Sequence, residues 1–302
     1  MASSWSSTRR GSPLSLKCAG YQFVFRIMKG MSRFRKPTAA KLKQAMEGGI
    51  GKLGKPLKSV TIEDIDLDGI PAVRFSPPAP REDALLFYIH GGGYISCSAR
   101  LYGVLISKLA TTLGMTVYAP DYRLAPEHPM PAALEDCLAA YAALPESEVF
   151  IGGDSAGGGL TLSTLQALRD AGSKLPAAAF TISAYADQTG SGETYRTRAR
   201  ADPMMTIPQM EVLAAAACGD IERDDARVSP VFGDFTGLPP LLMLVGDREI
   251  LQSDSTRSVD KATSQGVPAT LHVAPKMHHD WPMFPIKEAK SALDLIADHL
   301  AA

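Results

Sequence analysis

The feature that most restricts the fold is a series of short, wholly apolar runs, each leading into a segment of helical period. "ALLFYI" at 84–89 precedes a helical pattern over 98–113, with Leu101, Leu105 and Leu109 on one face and Gly114 as its stop. "TVYA" at 116–119 precedes "PAALEDCLAAYAAL", where Pro131 suits a first helical turn. "EVFIG" precedes a helix over 156–171 that Gly172 ends, and "AAFTISA" follows it. Later come "PLLMLVG" at 240–246, a helix to Gly266, "ATLHVA" at 269–274, and a last helix to about Leu300. Strands apolar on both faces and separated by helices belong to a mostly parallel sheet covered on both sides, so the expected class is α/β.

Two regions stand outside this rhythm. Upstream, "SVTIEDIDLDGIPAVRF" alternates in polarity and predicts a hairpin turning at Asp68-Gly69, a dipeptide suited to positive φ. Residues 21–50 have a helical pattern with little to pack on. Between Asp187 and about Ser229 no strand is expected, and the segment reads as an excursion from the sheet. The expected organisation is a helical cap segment at 1–50 and a catalytic domain at 51–302, with a cap excursion at about 187–229.

Net charge is −1 and the pI about 6.6, so no global charge favours nucleic acid or an anionic membrane. The average hides a division. Ten of the 31 Lys and Arg lie between Met1 and Lys43, ahead of the first acidic residue, Glu47. The remaining 21 face all 32 acidic residues. A basic, Ser-rich start can mark a transit peptide; the expectation taken is a basic helical segment lying on an acidic body. No run reaches the roughly 18 apolar residues of a membrane span, and Lys17 interrupts "LSLKCAGYQFVF". Cys18, Cys97, Cys137 and Cys218 have no paired spacing of the kind that holds zinc or a redox disulfide. A soluble cytoplasmic protein with no nucleic-acid or membrane partner is expected.

Chemistry concentrates in "VFIGGDSAGGGL" at 149–160. A phosphate loop needs Lys-Ser/Thr after its glycines, and a dinucleotide fingerprint needs G-x-G-x-x-G; neither occurs here. Gly153-Asp154-Ser155-Ala156-Gly157 instead matches the G-x-S-x-G nucleophile elbow, in its required setting of strand, sharp turn and helix. Small neighbours spare the strained turn from collision, and the helix N-terminus favours a developing oxyanion. Upstream, His90-Gly91-Gly92-Gly93 follows the first core strand, where glycines let backbone N–H groups approach a ligand.

The motifs HGGG (90–93), "DYRLAPEHPMPAALED" (121–136), "GDSAGG" (153–158), "LPPLLMLVGDREIL" (238–251) and "MHHDWPMF" (277–284) occur in this order. In them the chain resembles the bacterial hormone-sensitive-lipase-like branch of the α/β-hydrolases, a family of serine carboxylesterases. The resemblance implies an α/β-hydrolase fold with a helical cap, and an acyl-enzyme formed on Ser155. It implies an oxyanion hole from Gly91, Gly92, Gly93 and Ala156, and an acid and a histidine downstream of the serine in that order. The pattern Met-x-His-x-Trp sets the histidine at His279 and leaves His278 at the free position. Gapless alignment of the double proline and the following leucine sets the acid at Glu249, with Asp247 as the alternative. Tyr122, Arg123, Glu127 and His128 are expected to tie the sheet edge, Asp154 to brace the elbow, and Asp254 to cap a helix. His272 and His299 are expected to be structural, and Met204, Met205, Met210 and Met283 to fill the lid. No metal or organic cofactor is expected. The substrate class is a small-molecule ester, with short acyl chains, and a homodimer is allowed. Hydrolysis of an amide or an acetylated metabolite is the alternative. A ligand receptor of the kind the plant gibberellin receptors represent is a remote one, since those proteins lose the histidine.

Overall fold

The computed structural model describes residues 13–32 and 37–302. Arg9, Arg10, Arg33, Arg35 and Lys36, half of the basic cluster, lie outside the described residues. Eight strands form one sheet: β1 (Thr61–Leu67), β2 (Ile70–Ser76), β3 (Arg81–Ile89), β4 (Met115–Pro120), β5 (Glu148–Asp154), β6 (Ala178–Ile182), β7 (Leu241–Gly246) and β8 (Ala269–Ala274). Their spatial order is β1-β2-β4-β3-β5-β6-β7-β8. β1 and β2 are antiparallel, joined where Asp68 and Gly69 have φ of 54° and 85°. β2 also runs antiparallel to β4, and from β4 to β8 every pairing is parallel. This is the mostly parallel α/β sheet that the apolar runs predict, in the α/β-hydrolase form that the resemblance implies.

Helices cover both faces. α1 (Leu16–Ser32) and α2 (Ala39–Ile50) precede the sheet. α3 (Gly103–Leu113), α4 (Ala132–Ala142) and α5 (Ser155–Asp170) lie between strands. α6 (Glu193–Thr197) and α7 (Ile207–Cys218) follow β6, and α8 (Gln252–Ser264) and α9 (Glu288–Leu300) complete the set. One apolar core holds α4, α5 and α8 residues such as Leu134, Leu165 and Val259 against the sheet. The opposite core unites Leu105 and Ile106 of α3 with Leu293 and Ile296 of α9. The predicted N-terminal helix is two helices, α1 and α2; Pro37 lacks an N–H and lies just ahead of Thr38, which starts α2 by accepting a hydrogen bond from Lys41 N. α3 begins at Gly103, five residues later than its pattern suggests, because 99–102 form turns.

The stretch between β6 and β7 contains α6 and α7 and no strand. α2 packs against α7, so the two segments expected to cover the sheet meet. All four cysteines are buried and unpaired.

Candidate active site

Ser155 sits where β5 ends and α5 begins, with φ of 51°, a left-handed conformation that a residue with a side chain adopts only under constraint. The constraint is visible in its neighbours. A Cβ on Gly157 would lie 2.1 Å from Ile89 O and 2.5 Å from His90 O, and one on Gly153 would lie 2.5 Å from Gly157 O. Any side chain at either position would push the turn off β3. Asp154 braces the same turn from below. It accepts hydrogen bonds from Tyr88 Oη at 2.7 Å, Tyr102 Oη at 3.0 Å and Gly91 N at 3.1 Å. Burial nevertheless pushes its carboxyl well above the usual range, with Asp280 adding to the effect.

His279 Nε2 lies 2.9 Å from Ser155 Oγ, and His279 Nδ1 lies 2.9 Å from Glu249 Oε2. With Nδ1–H donated to the carboxylate, Nε2 keeps its lone pair for the hydroxyl, the arrangement in which imidazole takes a proton from serine. Glu249 is fully buried just beyond β7. Its Oε1 accepts from Gly246 N at 2.6 Å and Ser183 Oγ at 2.8 Å. Burial raises the Glu249 pKa, and the bond to His279 opposes that rise. For His279, burial disfavours the cation, but Asp280 and Glu249 outweigh it and raise the pKa well above the ordinary histidine value.

The alternatives are placed elsewhere. Asp247 accepts from Lys276 N at 2.6 Å, closing the loop that leads to the histidines. His278 points to the other side of that loop, with its ring centroid 4.8 Å from that of Phe284 and 5.4 Å from that of Phe25 of α1. Both of its ring nitrogens are buried without a hydrogen-bond partner among the described residues, and burial depresses its pKa to about 3. Met277 and Trp281, buried on either side, anchor the loop so that His279 alone faces Ser155.

The glycine loop after β3 lies against the elbow. Gly92 and Gly93 have φ of 119° and 63°. A Cβ on Gly92 would lie 2.2 Å from Ser96 O, and one on Gly93 would lie 2.9 Å from Leu213 Cδ2 of α7. Ala156 N–H belongs to the first turn of α5, where backbone donors have no intrahelical acceptor. Gly91 departs from its expected place among the oxyanion donors: its N–H is spent on Asp154 Oδ1.

Three further outcomes differ from the sequence reading. Tyr122 donates to His90 O at 2.7 Å and stacks on the His90 ring, and Ala125 N donates to Tyr94 O at 2.9 Å. The DYRLAPEHP loop therefore braces the glycine loop, while Arg123 pairs with Asp136 of α4 at 2.8 Å and Asp121 N donates to Pro71 O of β2, an inner strand and not the expected sheet edge. Asp254 does not cap α8; its Oδ2 reaches across to Ala186 N and Asp187 N, both at 3.1 Å. Asp280, at the other free position of Met-x-His-x-Trp, places Oδ2 3.0 Å from His279 Nε2. Its only sequence signal was an acid adjoining the histidine.

Comparison with known proteins places the chain among hydrolases of this fold. Residues 86–283 match the family described as alpha/beta hydrolase fold. An acetyl-hydrolase of Streptomyces hygroscopicus is 40% identical over 209 residues, covering 68% of this chain and 70% of the relative. An esterase of Acinetobacter venetianus is 34% identical over 80% of this chain and 82% of its own. Among solved structures, an esterase of the bacterial hormone-sensitive lipase family superposes with a TM-score of 0.88 at 34% identity, over 96% of this chain and 98% of that one. The esterase EstE5, soaked with p-nitrophenyl butyrate, superposes with a TM-score of 0.88 at 32% identity, over 95% of this chain and 100% of that one. The fold is shared along nearly the full length with such esterases: the chain belongs to the α/β-hydrolase fold family, in its hormone-sensitive-lipase-like branch of carboxylic ester hydrolases.

Proposed function

We propose that the chain is a serine carboxylesterase that cleaves short-chain acyl esters through an acyl-enzyme on Ser155. The observation that carries this reading is the buried relay from Ser155 Oγ through His279 to Glu249, 2.9 Å at each step. His279 takes the serine proton as Oγ attacks the ester carbonyl, and Glu249 holds the tautomer and stabilises the imidazolium. N–H groups of Gly92, Gly93 and Ala156 receive the oxyanion; losing one such donor typically costs about 10²- to 10³-fold in kcat. The imidazolium protonates the leaving alcohol, and water, activated by the same ring, releases the acid.

In this reading α1, α2 and the segment 187–229 form the cap. Met46 of α2 reaches Ser96 Oγ and Leu213 of α7 covers Gly93, so both segments lie on the glycine loop. Ser155 is only 7% exposed beneath them, which favours small acyl groups. Acetyl esters or an acetylated metabolite are the substrates that the Streptomyces relative's name supports. No helix among the described residues is long and apolar enough to cross a membrane, and four unpaired buried thiols suit a reducing cytoplasm.

Ser155→Ala is expected to lower turnover of p-nitrophenyl acetate by about 10⁴- to 10⁶-fold with an unchanged Tm. Retained turnover would sink the proposal. An acyl series from C2 to C12 is expected to peak at C2 to C4; a peak at C8 or beyond would refute the short-chain assignment.

A further inference from the structure

The Nε2 edge of His279 has two partners. Ser155 Oγ lies at 2.9 Å and Asp280 Oδ2 at 3.0 Å. A ring nitrogen carries either one lone pair or one N–H, so a hydroxyl donor and a carboxylate acceptor suit opposite states of the ring. A bare Nε2 suits Ser155 and faces the carboxylate with a lone pair. A protonated Nε2 carries its charge 3.0 Å from the Asp280 carboxylate and forms an ion pair with it. Asp280 Oδ1 is buried without a hydrogen-bond partner among the described residues, so no other bond draws the carboxylate off the ring. Its backbone is fixed in the left-handed region, φ 51°, and its N–H donates to Ser183 Oγ at 3.1 Å. The same hydroxyl donates to Glu249 Oε1 at 2.8 Å. One serine thus links the Glu249 carboxylate to the backbone of Asp280, while the two acids face different nitrogens of the imidazole.

We propose that Asp280 is a positioning residue that holds a proton on His279 Nε2 and thereby sets the pH at which the base of Ser155 becomes available. The inference rests on the acyl-transfer reading above. At low pH His279 Nε2 keeps a proton that faces Asp280, and that proton must leave to solvent before Nε2 can act. In acylation the Ser155 proton passes to Nε2, the new N–H again faces Asp280, and that proton goes to the leaving alcohol; in deacylation the attacking water's proton passes to Nε2 and then to Ser155 Oγ, so the count closes over one turnover.

The other groups facing the ring are few. Glu249 stands at Nδ1. Asp154 approaches from the end of β5 with its donors Tyr88 of β3 and Tyr102 of α3, and His278 adjoins along the chain and is neutral. Among the charged groups, the Asp280 carboxylate acts most strongly in raising the His279 pKa. Removing its charge must therefore let the ring lose its proton at a lower pH.

The test is kcat/KM for p-nitrophenyl acetate from pH 5 to 9 in the parent and in Asp280→Asn, which keeps the shape and tolerates the positive φ. The acid limb is expected to move to lower pH by about one unit, roughly tenfold more bare imidazole on that limb. The plateau is expected to fall several-fold because the base is weaker. A lower plateau with an unmoved acid limb would mean that Asp280 only shapes the loop, and would overturn the inference. Asp280→Gly, equally at ease with the backbone, replaces Asn if that variant does not fold. A second readout needs no turnover: NMR titration of the His279 ring in Ser155→Ala, with and without Asp280→Asn. A drop in its pKa in the double variant supports the inference; an unchanged value refutes it whatever the fate of the esterase assignment.

Discussion

The loop that carries Ser155 and the loop that carries His279 meet at the same hydrogen bond, and they reach it by opposite means. The serine elbow is held by backbone against backbone: Gly153 and Gly157 fit against carbonyls of Ile89, His90 and the turn itself, at distances no Cβ tolerates. The histidine loop is held by side chains lent from elsewhere. Lys276 N donates to Asp247, Asp280 N to Ser183, and Gln22 of α1 donates to Lys276 O at 2.8 Å. Steric exclusion is all-or-none, whereas a polar network yields by degrees. One added methyl should therefore displace the first loop, whereas losing one of the bonds that hold the second should only loosen it.

The sharpest way to break this contrast is Gly157→Ala. With its Cβ 2.1 Å from Ile89 O, the substitution must displace β3 or the elbow. It is expected to cost at least about 3 kcal/mol and to lower activity by 10²-fold or more, about the effect of a misplaced nucleophile. A variant with parental Tm and kcat would mean that the elbow is softer than its packing implies. Next comes the histidine pair. His279→Ala should lose about 10⁴-fold or more in kcat. His278→Ala should keep most activity and lose about 1 to 2 kcal/mol of stability through the gap left beside Phe25 and Phe284. The reverse order of activities would reassign the base.

A third comparison sets Glu249→Gln against Asp247→Asn. The first leaves the imidazole without its anion and should cost about 10³-fold in kcat. The second keeps an acceptor for Lys276 N and should cost less than about tenfold. Equal losses would show that the histidine loop depends on its closure as much as on its acid. The smallest effect concerns His278 alone. Its folded pKa of about 3 lies below the unfolded value of 6.5, so the unfolded chain binds a proton that the folded one refuses. Stability is therefore lost as pH falls below 6.5 toward 3. His278→Phe should flatten that decline and gain about 1 kcal/mol at pH 7, read from Tm at pH 5 and pH 7.5.

The same division explains what could be read in the sequence. The elbow was legible because its physics requires glycine at fixed offsets from the serine, and the sheet was legible because parallel strands must be apolar on both faces. Glu249 and His279 are brought together from loops 30 residues apart, and only the family resemblance gave them positions. Asp280 had no signal of its own: an acid beside a histidine reads as a solvated loop residue until the αL backbone turns it inward. Gly91 illustrates the converse. Three glycines in a row look interchangeable, yet the first gives its N–H to Asp154, a bond fixed by how β3 and β5 lie side by side.

α1 acquires a second meaning in this light. It stands outside the sheet and the serine turn, yet Gln22 and Phe25 press on the segment that delivers His279, while Ser15 fastens the helix to Glu288 of α9 at 2.7 and 2.8 Å. For protein engineering, the amino terminus is not a neutral handle. A fusion or trimming that reaches residue 15 works on the base of the reaction from outside, like a loosened bracket, and its damage would surface in the histidine before it surfaced in the fold.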